Sequence, residues 1–158
     1  MGPPDGERRA ASAEAEGNSG IYCLILRLDR GARLTIGKHG THSFAPGYYC
    51  YVGSAMGNLA QRLARHRSRE KRPHWHIDYL LAEAELEEVL AAPTKRRLEC
   101  GLSRRVAALT AGPAVAGFGS SDCSCPTHLH YFKSDPRALV RPILERLDRY
   151  FPPDPWGG

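Results

Sequence analysis

The apolar positions of this chain change their period several times, and each change marks an element. Ile21-Tyr22-Cys23-Leu24-Ile25-Leu26 is a continuous apolar, β-prone run, too brief for a helix and suited to a central strand. Tyr48-Tyr49-Cys50-Tyr51-Val52 has the same character. Between them Asp29-Arg30-Gly31-Ala32 supplies turn residues, and Leu34-Thr35-Ile36 reads as a hairpin partner closed by Gly37 and Gly40. Pro46-Gly47 is a second turn. Three successive strands with short turns predict an antiparallel sheet.

From Leu59 the period becomes helical. Leu59, Ala60, Leu63 and Ala64 form the apolar side of a helix predicted to run to about Arg69, with Asn58 as its N-cap. Arg62, His66 and Arg69 fall together along its margin. Pro73 ends the segment, His74 to Leu81 reads as a short helix, and Leu86 to Leu90 as a further strand. Leu98, Leu102, Val106 and Leu109 stripe another helix, from about Lys95 to Leu109, stopped by Gly112-Pro113. Gly117 to Cys123 reads as a loop and His128 to Phe132 as a strand returning to the sheet. Ser134-Asp135-Pro136 starts a last helix, with Leu139, Ile143, Leu144 and Leu147 facing inward and Pro142 bending or delaying it. The predicted fold is α/β in the α+β sense, a small, mainly antiparallel sheet flanked by helices.

Length and composition add boundaries. The 158 residues suffice for one domain with its own core, placed from Gly20 to Tyr150. Met1 to Ser19, without an apolar period, reads as a disordered leader, and Phe151 to Gly158 as a Pro/Gly-rich tail. Neither a signal-peptide core nor a run of roughly 18 apolar residues occurs, so a soluble, intracellular protein of the cytoplasm or nucleoid, without a membrane partner, is expected. Five cysteines, an odd number, fit a reducing compartment. A formal charge of +5 favours a polyanionic partner, because lysine and arginine release the counterions condensed on phosphates.

Taken singly, the chemistry-bearing residues have ordinary structural readings. Tyr22, Tyr48, Tyr49 and Tyr51 suit a strand, Arg62 and His66 suit a solvated helix face, and Glu99 suits a pair with Arg96. Cys123, Cys125, His128 and His130 offer zinc-ligand atoms, but Cys-x-Cys is tighter than structural zinc sites use, which favours a loop held by hydrogen bonds. The run Arg65-His66-Arg67-Ser68-Arg69-Glu70-Lys71-Arg72 is by itself a solvated helix end.

Their order along the chain carries more. Gly20-Ile21-Tyr22, then Tyr51-Val52-Gly53, then Arg62 and His66 resembles the signature of GIY-YIG nucleases, with valine for the middle isoleucine of the second half. Glu99 is similar to the metal-binding glutamate of that superfamily. The stretches Gly47 to Ala55, His74 to Leu80, Glu99-Cys100 and Gly117 to Cys125 with His128-Leu129 resemble, more narrowly, an uncharacterised GIY-YIG-related family sometimes fused to endonuclease III. The spacing from Tyr22 to Tyr51 is longer than in typical nucleases, and His74-Trp75-His76 has no counterpart in the minimal pattern.

The resemblance implies an endonuclease that hydrolyses DNA phosphodiester bonds with one Mg²⁺ or Mn²⁺ ion, with a role in DNA repair suggested by the fused relatives. In that reading Tyr22 helps take the proton of the attacking water and Tyr51 hydrogen-bonds nearby. Arg62 clamps the scissile phosphate, His66 is a second acid-base group or phosphate donor, and Glu99 anchors the ion. Gly53 and Ser54 let the nucleic acid approach the backbone, and Arg65, Arg69, Lys71 and Arg72 meet its phosphates. Apart from the resemblance, His74, His76 and Asp78 are read as orienting the site, binding a second metal, or serving as structural His-Trp-His packing. The alternative is a nucleic-acid-binding module on the same scaffold that has lost turnover.

Overall fold

The computed structural model of the protein describes residues 16–69, 72–73, 75–111, 118 and 127–153. Its strands are β1 (Gly20–Leu28), β2 (Ala32–Thr35), β3 (Thr41–Phe44), β4 (Gly47–Ala55), β5 (Glu85–Pro93) and β6 (Leu129–Phe132). Its helices are α1 (Leu59–Arg67), α2 (His76–Leu81), α3 (Glu99–Ala107), α4 (Arg137–Glu145) and α5 (Leu147–Tyr150). The architecture is α+β: a four-stranded antiparallel sheet in the order β5-β1-β4-β6, flanked by helices.

The predicted meander does not form. Leu34-Thr35-Ile36 is not the partner of β1; β2 pairs instead with β3, from Ala32↔Phe44 to Thr35↔Thr41, in a separate two-stranded sheet. The reason is burial. The nine-residue strands β4 and β5 take both edges of β1, whose residues are nearly all buried, whereas four-residue β2 alternates half-buried and exposed positions. Nine-residue strands cover all or nearly all of the length of β1 and bury more of it than a four-residue amphipathic strand can.

Alternation along β1 and β4 then sends side chains to two separate cores. Tyr22, Leu24, Leu26 and Leu28 join Tyr49, Tyr51, Leu59, Leu63, Ile77 and Leu80 under α1, α2 and the small hairpin. Ile21, Cys23, Ile25, Cys50 and Val52 join Leu102, Val106, Val140, Ile143 and Leu144 under α3 and α4. Helices on both faces explain why these strands read as unbroken apolar runs.

Helix boundaries depart from the sequence prediction in informative ways. α1 ends at Arg67, because Ser68 turns to an extended backbone (ψ 131°). Asn58 makes no side-chain capping bond. The cap comes from Asn18, whose Oδ1 accepts the Ala60 N–H at 3.0 Å, while Ser19 Oγ accepts the Gly57 N–H at 2.9 Å. Asn18 and Ser19, the last residues of the expected leader, thus bond the start of α1, while residues 1–15 of that leader lie outside the described residues. α3 begins at Glu99 and not near Lys95, since Thr94 Oγ1 accepts the Arg96 N–H and holds a turn there. α4 passes through Pro142 and stops at Arg146, whose backbone (φ −126°, ψ 51°) leaves helical geometry. Val140, Ile143 and Leu144 face inward, but Leu139 is 51% exposed, against the prediction.

Among the described residues no helix is long and apolar enough to cross a membrane. Lys71, His74, Cys123 and Cys125, the loop from Gly117 to Cys123 apart from Phe118, and the Gly112-Pro113 stop lie outside the described residues.

Candidate active site

The site is built at the end of β1 and β4 where the chain turns into α1. Tyr22 lies directly across from Gly53 in the β1–β4 pairing. A side chain at Gly53 would place its Cβ 2.5 Å from the Tyr22 Cζ and Oη, so only glycine leaves room for the tyrosine ring to lie over the neighbouring strand. Tyr51, two residues before Gly53, faces the same side. Both rings are buried, at 2% and 9% exposure, and His66 on α1 covers them at 3%.

The hydroxyl of Tyr22 and Nε2 of His66 share a hydrogen bond of 2.8 Å, and the rings of Tyr51 and His66 meet edge-on at 6.3 Å. Burial raises the Tyr22 hydroxyl well above the ordinary tyrosine value; Arg62 pulls it down, and Glu99 and Asp78 push it up. Tyr51 is raised further by burial, then by Tyr22 and Glu99. A tyrosinate at either position is therefore costly without added positive charge.

Ser54 joins the two sides of the sheet. Its backbone carbonyl accepts a 2.6 Å hydrogen bond from Arg62 Nη1, and its hydroxyl donates to Glu99 Oε1 at 2.9 Å. This is possible because β6 pairs with β4 only from Tyr48 to Tyr51, with one more backbone bond at Val52. Past that point no described strand pairs with this edge of β4, and the Glu99 side chain reaches it at Ser54. Glu99, first residue of α3, also brings Oε2 within 3.4 Å of Nδ1 of the buried His128. Burial lowers the basicity of His128, and Glu99 acts in the opposite sense. Arg96, the surface alternative for Glu99, instead donates to the carbonyls of Phe151 and Pro152.

Five predicted residues, Tyr22, Tyr51, Arg62, His66 and Glu99, are thus brought together with Gly53 and Ser54. The others are placed differently. Arg65 donates to the Asp78 carboxylate at 2.8 Å and to the Arg72 carbonyl at 3.0 Å, and Arg69 pairs with Glu85 on the surface. Asp78, with no exposed side-chain surface, holds Arg65 and the start of α2. His76 packs its ring at a tilt against His39 at 4.9 Å and edge-on to Phe118 at 5.5 Å, and Phe118 in turn meets Tyr51 at 6.3 Å. His128 adjoins Glu99, whereas His130 bonds the Ser103 hydroxyl at 2.8 Å. Those two histidines serve different partners, and no group of three metal-ligating side chains occurs among the described residues.

Sequence reasoning missed Trp75 and Asn18. Arg62 and Arg65 both lie over the Trp75 ring, each 4.9 Å from its centroid, and the His66 ring is 5.7 Å away. The signal was present: residues 62, 65 and 66 share one helical face, and an aromatic after Pro73 is the next group able to cover it.

A donor set of one part-exposed carboxylate, Glu99, suits a hard divalent ion that keeps most of its water shell and takes few protein ligands. Structural zinc sites use four ligands, mostly nitrogen and sulfur, and of the four residues that offered zinc-ligand atoms only His128 and His130 lie among the described residues. In comparison with known proteins, the family model described as a domain of unknown function, DUF123, matches residues 21–149. No curated protein and no solved structure matches the chain.

Proposed function

The chain belongs to the DUF123 family, a domain of unknown function, and from its site we propose a divalent-metal-dependent endonuclease that hydrolyses DNA phosphodiester bonds, with DNA repair as its setting. The observation that carries this reading is the buried Tyr22–His66 hydrogen bond of 2.8 Å, within electrostatic reach of Arg62 and Glu99. It pairs a proton donor with an acceptor in a place where packing alone would favour two apolar rings. The resemblance to GIY-YIG nucleases rests on the same residues.

In this mechanism Tyr22 Oη takes a proton from the attacking water as its own proton passes to His66 Nε2. The two transfers are coupled because burial disfavours a free tyrosinate. Arg62 presents its remaining N–H donors to the phosphate oxygens; its plane is fixed by the Ser54 carbonyl and the Trp75 ring, so the charge is oriented before the substrate arrives. Glu99 would hold the ion, with one carboxylate oxygen steadied by the Ser54 hydroxyl. When bound, a divalent ion supplies Lewis-acid stabilisation of charge on the phosphoryl and departing oxygens.

Incubation with branched, flapped, single-stranded and duplex DNA in Mg²⁺ or Mn²⁺ tests the proposal. Cleavage that requires the ion and falls about 10²–10³-fold in Arg62→Ala and Tyr22→Phe supports it. An absence of cleavage on every substrate, or equal rates in the variants, rejects it. The second reading, a binding module without turnover, is favoured by the upward push of burial on both tyrosine hydroxyls. It predicts salt-dependent DNA binding that Glu99→Gln leaves unchanged.

A further inference from the structure

Trp75 and Asp78 touch α1 on the face that carries the candidate active site. The Trp75 ring contacts three side chains of α1, Arg62 and Arg65 through their guanidiniums and His66 ring to ring. Residues 65 and 66 lie about one helical turn beyond 62, so a single ring spans the face that presents both the phosphate clamp and the proton acceptor. Trp75 is itself held. Its backbone N–H donates to Asp78 Oδ2 at 3.0 Å, and the same oxygen accepts the Arg65 Nη2 bond of 2.8 Å.

These contacts close a ring: Asp78 fixes Trp75 through the backbone and Arg65 through its side chain, and Trp75 packs back on Arg65 and Arg62. The Asp78 side chain has no exposed surface, so the Arg65–Asp78 bond is screened far less than an exposed ion pair. Arg62 also reaches Ser54 and hence the strand carrying Gly53 and Tyr51. A short loop before α2 therefore sets the plane of a side chain on another helix.

We propose that Trp75 and Asp78 are positioning residues that hold Arg62 and His66 in their working orientation, with Trp75 acting as a flat cationic rest and Asp78 as its anchor. Neither needs to touch substrate. This rests on the endonuclease reading for its catalytic consequence, but the coupling of Trp75 to Arg62 is measurable without any cleavage.

Two measurements test it. In the first, cleavage kinetics compare Trp75→Leu, which keeps bulk and loses the aromatic face, with Trp75→Phe, which keeps a face. The expected result is a fall in kcat of about 10²-fold in Trp75→Leu with KM nearly unchanged, and recovery of most of that loss in Trp75→Phe. Folded Trp75→Leu protein with wild-type kcat overturns the proposal, as does an equal loss in both variants.

In the second, Trp75 is retained. The chain has two tryptophans, so Trp156→Phe leaves Trp75 as the sole indole emitter. Its fluorescence should shift on Arg62→Ala and on Arg65→Ala, and on titration with a short single-stranded oligonucleotide without divalent ion. Emission identical in all three conditions overturns the proposal. If wild-type protein cleaves no DNA while the emission shifts, the endonuclease reading fails and the positioning of Arg62 by Trp75 stands.

Discussion

The two faces of the central sheet are made from alternate residues of the same strands, yet they differ in what they bury. Under α3 and α4 the inward residues are mostly aliphatic: Ile21, Ile25, Val52, Leu102, Val106, Ile143. Under α1 and α2 the same strands contribute Tyr22, Tyr49 and Tyr51, and the helices add His66 and Asp78, both nearly inaccessible. Aliphatic packing needs only shape, whereas buried hydroxyls, imidazoles and carboxylates must each find partners to repay their desolvation. The first face reads as the part that holds the fold and the second as the part on which chemistry is built. They meet at Ser54.

The sharpest way to break this division is Leu102→Ala. Leu102 is fully buried in the aliphatic core, so the cavity should cost about 2–5 kcal/mol in a denaturant titration. DNA cleavage per folded molecule should remain at the wild-type level. A matching loss of turnover would show that the two faces are not separable.

A second test concerns the polar exception on the aliphatic side. His130 pairs across β6 and β4 with Cys50, and its acidity is set by burial first and by His128 second, bringing it from 6.5 down to about 4. Folding therefore favours the neutral ring. Its contribution to stability is full above pH 6.5 and is lost as pH falls from there toward about 4, roughly 3 kcal/mol in all. Denaturant stability measured across that window should fall with acid, and His130→Gln should flatten the slope.

The smallest effect expected is on packing beside the two helices. Gly53→Ala would force its methyl to 2.5 Å from Tyr22 Oη, costing about 1–3 kcal/mol and displacing Tyr22 from His66. Gly101→Ala on α3 meets the part-buried Phe151 ring at 3.1 Å, a tight contact rather than the overlap found at Gly53. Thermal unfolding of the two variants should rank Gly53→Ala as the more damaging.

How much of this was legible follows from where the information sits. β1, β4 and β6 are written in local β-prone runs, and the helix around Arg62 in a local period, so the fold class was readable. Which strands pair was not: Leu34-Thr35-Ile36 resembles a partner for β1 until the longer strands β4 and β5 compete for both its edges. The cap of α1 comes from Asn18, forty-two residues before the amide that it serves, and no local pattern announces it. Tyr22, Tyr51, Arg62, His66 and Glu99 were named from their order in the chain. The groups that connect them, the Ser54 hydroxyl and carbonyl and the Trp75 ring, depend on the open edge past β6 and on a loop packing against another helix. Those are tertiary facts.

The pairing of Tyr22 with Gly53 has a consequence for the lifetime of the site. β1 and β4 are the two innermost strands, and amides in such positions exchange with solvent only when the whole domain opens. His66, by contrast, sits in the last turn of α1, so opening of that helix end would break its bond to Tyr22 while the strand pairing stays intact. A slip of one residue in that pairing would turn Tyr22 toward α3 and dismantle the site while leaving the strand count unchanged. Fidelity of strand alignment during folding is thus a condition for the Tyr22–His66 pair to form.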